Sequence, residues 1–174
     1  MALPRKLKNF NLFNDGLSWL GVVSEVQLPK LARKFEDFRA GGMDGAVGID
    51  MGQENLEMEI TAGGMITQVM LQYGSTKVGG DLPVGLRFAG AYQRDDTGEV
   101  KSVEIYTRGR WQEIDMGKAK TGDGTEVKLK SRLTYYRLVE DGIPLIEIDL
   151  LNMKFIVGGV IDRLADQRRA IGLA

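Results

Sequence analysis

Most of the chain alternates apolar and polar residues with a period of two, the pattern of strands buried on one face. The cleanest stretch sets Leu56, Met58 and Ile60 against Glu57, Glu59 and Thr61. Leu82, Val84, Leu86 and Phe88 alternate in the same way with Pro83, Gly85, Arg87 and Ala89. Phe10–Phe13 leads into the turn signal Asn14-Asp15-Gly16 and then into a long predicted strand. In that strand Leu20, Val22, Val26 and Leu28 share one face. Trp19, Val23, Glu25 and Gln27 share the other, before Pro29 interrupts. Val100–Arg110, Val127–Val139 and Leu145–Val157 are further predicted strands. Asp95-Asp-Thr-Gly98, Gly122-Asp-Gly124 and Glu140-Asp-Gly142 separate them with turn chemistry.

Two segments have the helical period instead. Met65, Ile66, Val69, Met70 and Tyr73 form one apolar stripe, with Gly74 placed to cap its C-terminus. The segment Asp162–Ile171 predicts a short helix, with Asp162 as N-cap, Arg168 and Arg169 in the last turn and Gly172 after it. Leu31–Phe38 lies between the two patterns. Its Leu31, Phe35 and Phe38 have helical spacing, so periodicity leans to helix there. No internal repeat or linker divides the chain, so residues 1–174 are expected to form a single domain. The predicted fold is mainly β: an antiparallel sandwich or partial barrel with one flanking α-helix and a short C-terminal helix.

Composition narrows the chemistry. The 174 residues include no histidine and no cysteine. That removes disulfides, thiol nucleophiles, histidine bases and Cys/His metal sites. Lys+Arg is 23 and Asp+Glu is 24, a balance unlike the basic excess of a dedicated nucleic-acid binder. Glycine is abundant, at 23 residues against only four prolines, which points to many turns. No apolar run approaches the ~18 residues of a membrane span. No signal-type apolar segment follows the basic start, so a soluble product of a cytoplasm is expected, with no membrane partner.

The remaining motifs are weak. Gly41–Gly48 is glycine-rich but has neither the Gly-Lys-Ser/Thr nor the dinucleotide-binding spacing, and reads as a hairpin tip with φ > 0 positions. Arg94–Glu99 lacks the ligand spread of a calcium loop. Glu57/Glu59 and Glu147/Asp149 could form an acid pair for hydrolysis only if they converged in a cleft; on strands they read as solvated faces. No Ser-x-x-Lys occurs. Trp19 and Trp111 are expected as core or interface anchors. No cofactor is implied. Lys30, Arg33, Lys34 and Arg39 make a local cationic cluster beside Glu36 and Asp37. Long strands rich in Val, Ile and Tyr leave sheet edges that identical copies could complete.

Four segments carry a resemblance. They are Leu28–Asp44 (LPKLARKFEDFRAGGMD), Arg87–Glu99 (RFAGAYQRDDTGE), Glu147-Ile-Asp149 with Asn152, and Asp162-Arg-Leu with Arg168-Arg-Ala-Ile-Gly-Leu173. In this order they resemble the major tail tube proteins of contractile-tailed bacteriophages, and the R-type pyocin tube is similar. The chain departs from the family pattern at Gly158–Asp162. The resemblance implies a non-enzymatic virion subunit made in a bacterial host. It forms hexameric rings that stack into a tube inside a sheath, with tape-measure, baseplate and tail-terminator proteins as partners and DNA passing unbound. A tube of a bacteriocin or secretion system is the nearest alternative. A monomeric β-sandwich ligand-binding module is the alternative of a different class.

The resemblance further implies that Lys30–Asp50 is a long hairpin extension, against the helical spacing. Its Lys30, Arg33, Lys34, Arg39, Gly41, Gly42, Met43, Asp44 and Asp50 are then the expected subunit or ring interface, with the cations paired to a neighbour's carboxylates. A lumen that releases DNA should be neutral to acidic, because each phosphate contact adds affinity. Glu25, Gln27, Glu57 and Glu59 are the lumen-facing candidates, since they alternate with core positions.

Overall fold

A computed structural model describes residues 2–75 and 84–173. Among these residues twelve strands and two short helices follow in the order β1 Lys6–Asn14, β2 Leu17–Ser18, β3 Val23–Gln27, β4 Arg33–Phe38, β5 Val47–Gln53, β6 Leu56–Ala62, α1 Thr67–Gln72, β7 Val84–Gln93, β8 Val100–Asp115, β9 Val127–Glu140, β10 Ile143–Asp149, β11 Lys154–Val157, β12 Ile161–Asp162 and α2 Ala165–Ala170. The fold is mainly β and antiparallel, as the alternation predicts.

The long β8–β9 hairpin joins two sheets. Over Val100–Gly109, β8 pairs with β7, which leads to β1 and β2. Over Tyr135–Glu140, β9 pairs with β10, which leads to β11 and β12. Towards its N-terminal end, Val127–Leu133, β9 changes partner to β6, which pairs in turn with β3. The bend falls where the β8–β9 register slips, between Arg108 and Gly109. A Cβ at Gly109 would lie 2.0 Å from the Arg132 carbonyl oxygen, so only glycine lets the two backbones close at this corner.

Both sheets turn an apolar face inward. Leu12, Leu86, Phe88 and Ile105 come from one, and Leu56, Met58, Ile60 and Leu129 from the other; all are buried. Full burial of each such side chain contributes roughly 1.5–3 kcal/mol. Trp19 and Trp111 stack at 6.5 Å between centroids and 19° between planes. Helix α1 is pinned by a buried polar network. Gln72 Oε1 accepts from Asn14 Nδ2 at 2.8 Å and from Trp111 Nε1 at 3.1 Å, and Gln72 Nε2 donates to Asp15 Oδ2 at 2.8 Å. The Asp15-Gly16 and Asp141-Gly142 turns have φ of 47° and 85°, and 46° and 78°, the left-handed pair that two-residue hairpins use.

Several local expectations need correction. Leu31–Phe38 is not helical: Arg33–Phe38 is a strand, because its partner β5 supplies hydrogen bonds that spacing alone cannot reveal. The predicted strand through Trp19–Leu28 is broken by a turn in which Trp19 accepts from Val22 and Val23. Leu20 and Val22 are therefore exposed, and Trp19 is the core residue. Leu145–Val157 is two strands, because Asp149 captures the backbone N–H groups of Leu151 and Asn152 and turns the chain. Of the predicted helical stripe Val69 is buried in α1, but Met65 and Tyr73 fall outside the helix and are exposed. Tyr73 holds the C-cap position, its N–H bonded to the Met70 carbonyl, and Gly74 follows it with φ of 82°.

Asp162 is not the N-cap of α2, a position Leu164 holds. It sits in β12 and binds Arg168 at 2.6 Å, with its other oxygen accepting from Leu164 N at 3.0 Å. That arrangement holds its carboxyl below the usual range, the Arg168 hydrogen bond being the main cause. Leu82 and Pro83 of the predicted β7 alternation lie outside the described residues.

Candidate assembly surfaces

The β4–β5 hairpin forms a sheet of its own. The register pairs Phe35 with Asp50, Glu36 with Ile49, Asp37 with Gly48 and Phe38 with Val47. Glu36, Phe38, Val47 and Ile49 thus share one face, and Phe35, Asp37, Gly48 and Asp50 the other. Phe35, Phe38, Val47, Ile49 and Met51 are all exposed, so neither face has a core among the described residues. The base is anchored instead. Arg33 Nε donates to Asp50 Oδ2 at 2.9 Å, and the guanidinium lies 5.2 Å from the centroid of Phe155. Arg33, with help from the Gly52 N–H, holds the Asp50 carboxyl below its usual range. Arg39 Nε donates to the Met43 carbonyl at the tip, 3.3 Å away. Gly42, with φ of 86°, turns the chain there.

The nine interface candidates therefore divide. Arg33 and Asp50 satisfy each other within the chain. Arg39, Gly41, Gly42, Met43 and Asp44 make up the projecting tip. Lys30 and Lys34 are exposed and have no carboxylate partner among the described residues.

The second surface is the outward face of the sheet ordered β3-β6-β9-β8. Gln27, Glu59, Lys130 and Glu113 align across it in one row, and Glu25, Thr61, Lys128 and Asp115 in the next. Glu57 pairs with Arg132, which pairs with Arg110. The register thus brings all four lumen candidates, Glu25, Gln27, Glu57 and Glu59, to this one face. It also brings cations that the sequence reading did not place there. Lys130 Nζ lies 2.9 Å from Glu57 and 3.5 Å from Glu59, and Arg132 Nη1 lies 2.7 Å from Glu57. These partners, Lys130 first, hold the Glu57 carboxyl below its usual range. The face is a cross-braced mixture of charge. The Lys128, Lys130 and Arg132 alternation is visible in the sequence; that β9 lies beside β6 is not.

Both outer edges of this four-stranded sheet are free among the described residues. β3 pairs only with β6, and β8 beyond Gly109 pairs only with β9. The acid pairs do not build a catalytic site. Glu57 is held by two cations, Glu147 accepts from the Tyr135 hydroxyl at 3.0 Å, and Asp149 caps its own turn. Asp96 is likewise occupied by Arg94 and the Leu3 N–H.

A braced sandwich whose acids are held in ion pairs and turns, with sheet edges unpaired among the described residues, defines a structural class of protein. The fold is shared with a chain of the sheath–tube complex of the PVC extracellular contractile injection system, in its extended state. That likeness has a TM-score of 0.56 and 8% identity, over 76% of this chain and 87% of that one. A chain of the same system's sheath/tube terminator matches with a TM-score of 0.56 and 7% identity, over 76% and 93%. The chain belongs to the phage tail tube protein FII family, whose model matches residues 4–172. It is 49% identical to the tail tube protein of Escherichia phage P2 over 176 residues, covering 99% of this chain and 100% of that protein. It is 42% identical to the major tail tube protein of Serratia phage KSP20 over 154 residues, covering 87% and 86%. It is a structural component of a virion, and not an enzyme.

Proposed function

We propose that the chain, as one domain, is the subunit of a contractile tail tube. Six copies close into a ring, rings stack, and DNA passes along the bore. The observation that carries this reading is the β3-β6-β9-β8 sheet, whose two edges have no partner among the described residues, in a member of a tube family. In a head-to-tail ring, β3 of one copy meets β8 of the next, and every edge is completed. Six such sheets supply about 24 strands. At ~4.8 Å spacing and ~40° tilt, that gives a barrel of roughly 45–50 Å between backbones, with room for a duplex inside the side chains.

The cross-braced face then lines the bore. Glu57 and Glu59 engage Lys130 and Arg132, so these cations are not free to hold phosphates. The hairpin Lys30–Asp50 leaves the opposite end of this sheet from the 116–126 loop, so it projects toward the next copy along the stack. There Phe38, Val47 and Ile49 find the cover they lack here, and Lys30, Lys34, Arg39 and Asp44 meet the neighbour's charges. A sheath outside, and tape-measure, baseplate and terminator proteins within and at the ends, complete the proposed partners. The host cell's cytoplasm is the proposed site of synthesis. A bacteriocin or secretion-type tube would use the same contacts for a different cargo.

Negative-stain microscopy of concentrated protein, alone and seeded with sheared tails, tests this beside a solution mass. Rings or tubes are expected. A monodisperse monomer under both conditions would contradict the proposal.

A further inference from the structure

The outward face of the other sheet carries a groove of about 460 Å³, lined among others by Phe13, Arg87, Tyr106, Arg108, Tyr135 and Arg137. The strand register sets Phe13, Arg87, Tyr106, Arg137 and Glu147 in one row across β1, β7, β8, β9 and β10. Of the three arginines only Arg87 is neutralised, by Glu104 at 2.9 Å. Arg108 lies 4.5 Å from the Tyr135 ring centroid and has no carboxylate partner among the described residues. Arg137 has none either, and its Nε is shut off from water with no acceptor. The nearest acids are engaged elsewhere. Glu147, directly across the strand, accepts from Tyr135, and Asp15 at the groove's end accepts from Gln72.

A guanidinium N–H shut off from water without an acceptor is destabilising. Two unpaired guanidinium groups between aromatic walls match a carboxylate, which can accept from a planar fork in two places. The groove shares no lining residue with β3, with the Arg110–Asp115 stretch of β8 or with the hairpin, the segments proposed to meet between copies. If the four-stranded sheet lines the bore, this face looks away from the axis. We propose that the groove is a docking point for a carboxylate-bearing segment of the protein layer that surrounds the tube. This rests on the tube reading above.

The test uses assembled tubes of the native chain and of R108A/R137M. The probe is a fluorescently labelled hexaglutamate peptide, with hexaglutamine and inorganic phosphate as controls. Native tubes should bind hexaglutamate at low salt, and the double variant should form normal tubes that bind it at least tenfold more weakly. R137M keeps the aliphatic stem and removes the stranded N–H, so the monomer's melting temperature should hold or rise. Equal binding by both tubes, or phosphate bound in preference to peptide, would overturn the proposal. So would a variant that folds but forms no tubes, since the arginines would then serve contacts between copies. A fall in R137M stability would assign Arg137 a structural role and overturn it too. Absence of tubes from the native chain would instead strike at the tube reading itself.

Discussion

β6 and the β4–β5 hairpin are neighbours in sequence and both alternate apolar with polar residues, yet they end in opposite surroundings. Met58 in β6 is 0% exposed, whereas Phe35 in the hairpin is 61% exposed and Phe38 is 52% exposed. The difference is one of partners. β6 lies between β3 and β9 and faces a core built by the same chain. Among the described residues the hairpin pairs only with itself, and a two-stranded hairpin is marginal on its own in water. The same pattern therefore encodes intramolecular stability in one place and a surface awaiting cover in the other. Stability and assembly should then be separable by mutation.

The largest effect is expected at the corner that makes the core possible. Gly109→Val forces a Cβ into the Arg132 carbonyl and should cost more than ~4 kcal/mol. Urea unfolding followed by circular dichroism should show little or no cooperative transition. The direct contrast comes next. Met58→Ala should cost ~2–5 kcal/mol by the same measurement, because it leaves a cavity. Ile49→Ser, on the exposed face of the hairpin, should stay within ~0.5 kcal/mol of the native chain, yet lower the yield of pelletable tubes roughly tenfold. Equal destabilisation by the two would erase the distinction.

A subtler probe is charge. Lys34→Glu and Arg39→Glu should leave the melting temperature nearly unchanged, since exposed ion pairs contribute ~0–1 kcal/mol, while slowing polymerisation measured by light scattering. The smallest effect is that of pH on the isolated chain. Glu57, Asp162 and Asp50 are each held below their usual values by a basic partner. Their contribution is fully present above the unfolded values near ~4 and is lost as pH falls through the lowered ones. Melting temperature should therefore drop below about pH 4. Protonation of Glu57 would also release Lys130 and Arg132, so tubes at that pH should retain added DNA that they release at neutral pH.

Local signals were readable where local chemistry decides the outcome. The Leu56–Ala62 alternation and the Asp15-Gly16 and Asp141-Gly142 turns each depend on residues within a few positions, and each lies as expected. Leu31–Phe38 shows the limit. Its helical spacing is real, but β5 supplies the hydrogen bonds, and only the family resemblance pointed to a hairpin. Asp162 was misplaced for a similar reason, because its partners Arg168 and Phe155 are joined to it by the fold of β11, β12 and α2. Lys130 and Arg132 carry no mark that pairs them with Glu57, seventy-odd positions upstream; antiparallel register alone does that. Asn14 is legible as part of a turn but not as a buried amide, and Gln72 and Gly109 not at all, since a buried amide network and a sheet corner leave no periodic trace.

A residue-resolving cryo-EM map of the assembled tube asks the most direct question: what lies beside β3. The account requires backbone hydrogen bonds from β3 of one copy to β8 Arg110–Asp115 of the next, with Glu57 and Lys130 facing the bore. A tube whose bore is lined by the β7–β10 face, with both of those edges left in water, would contradict it.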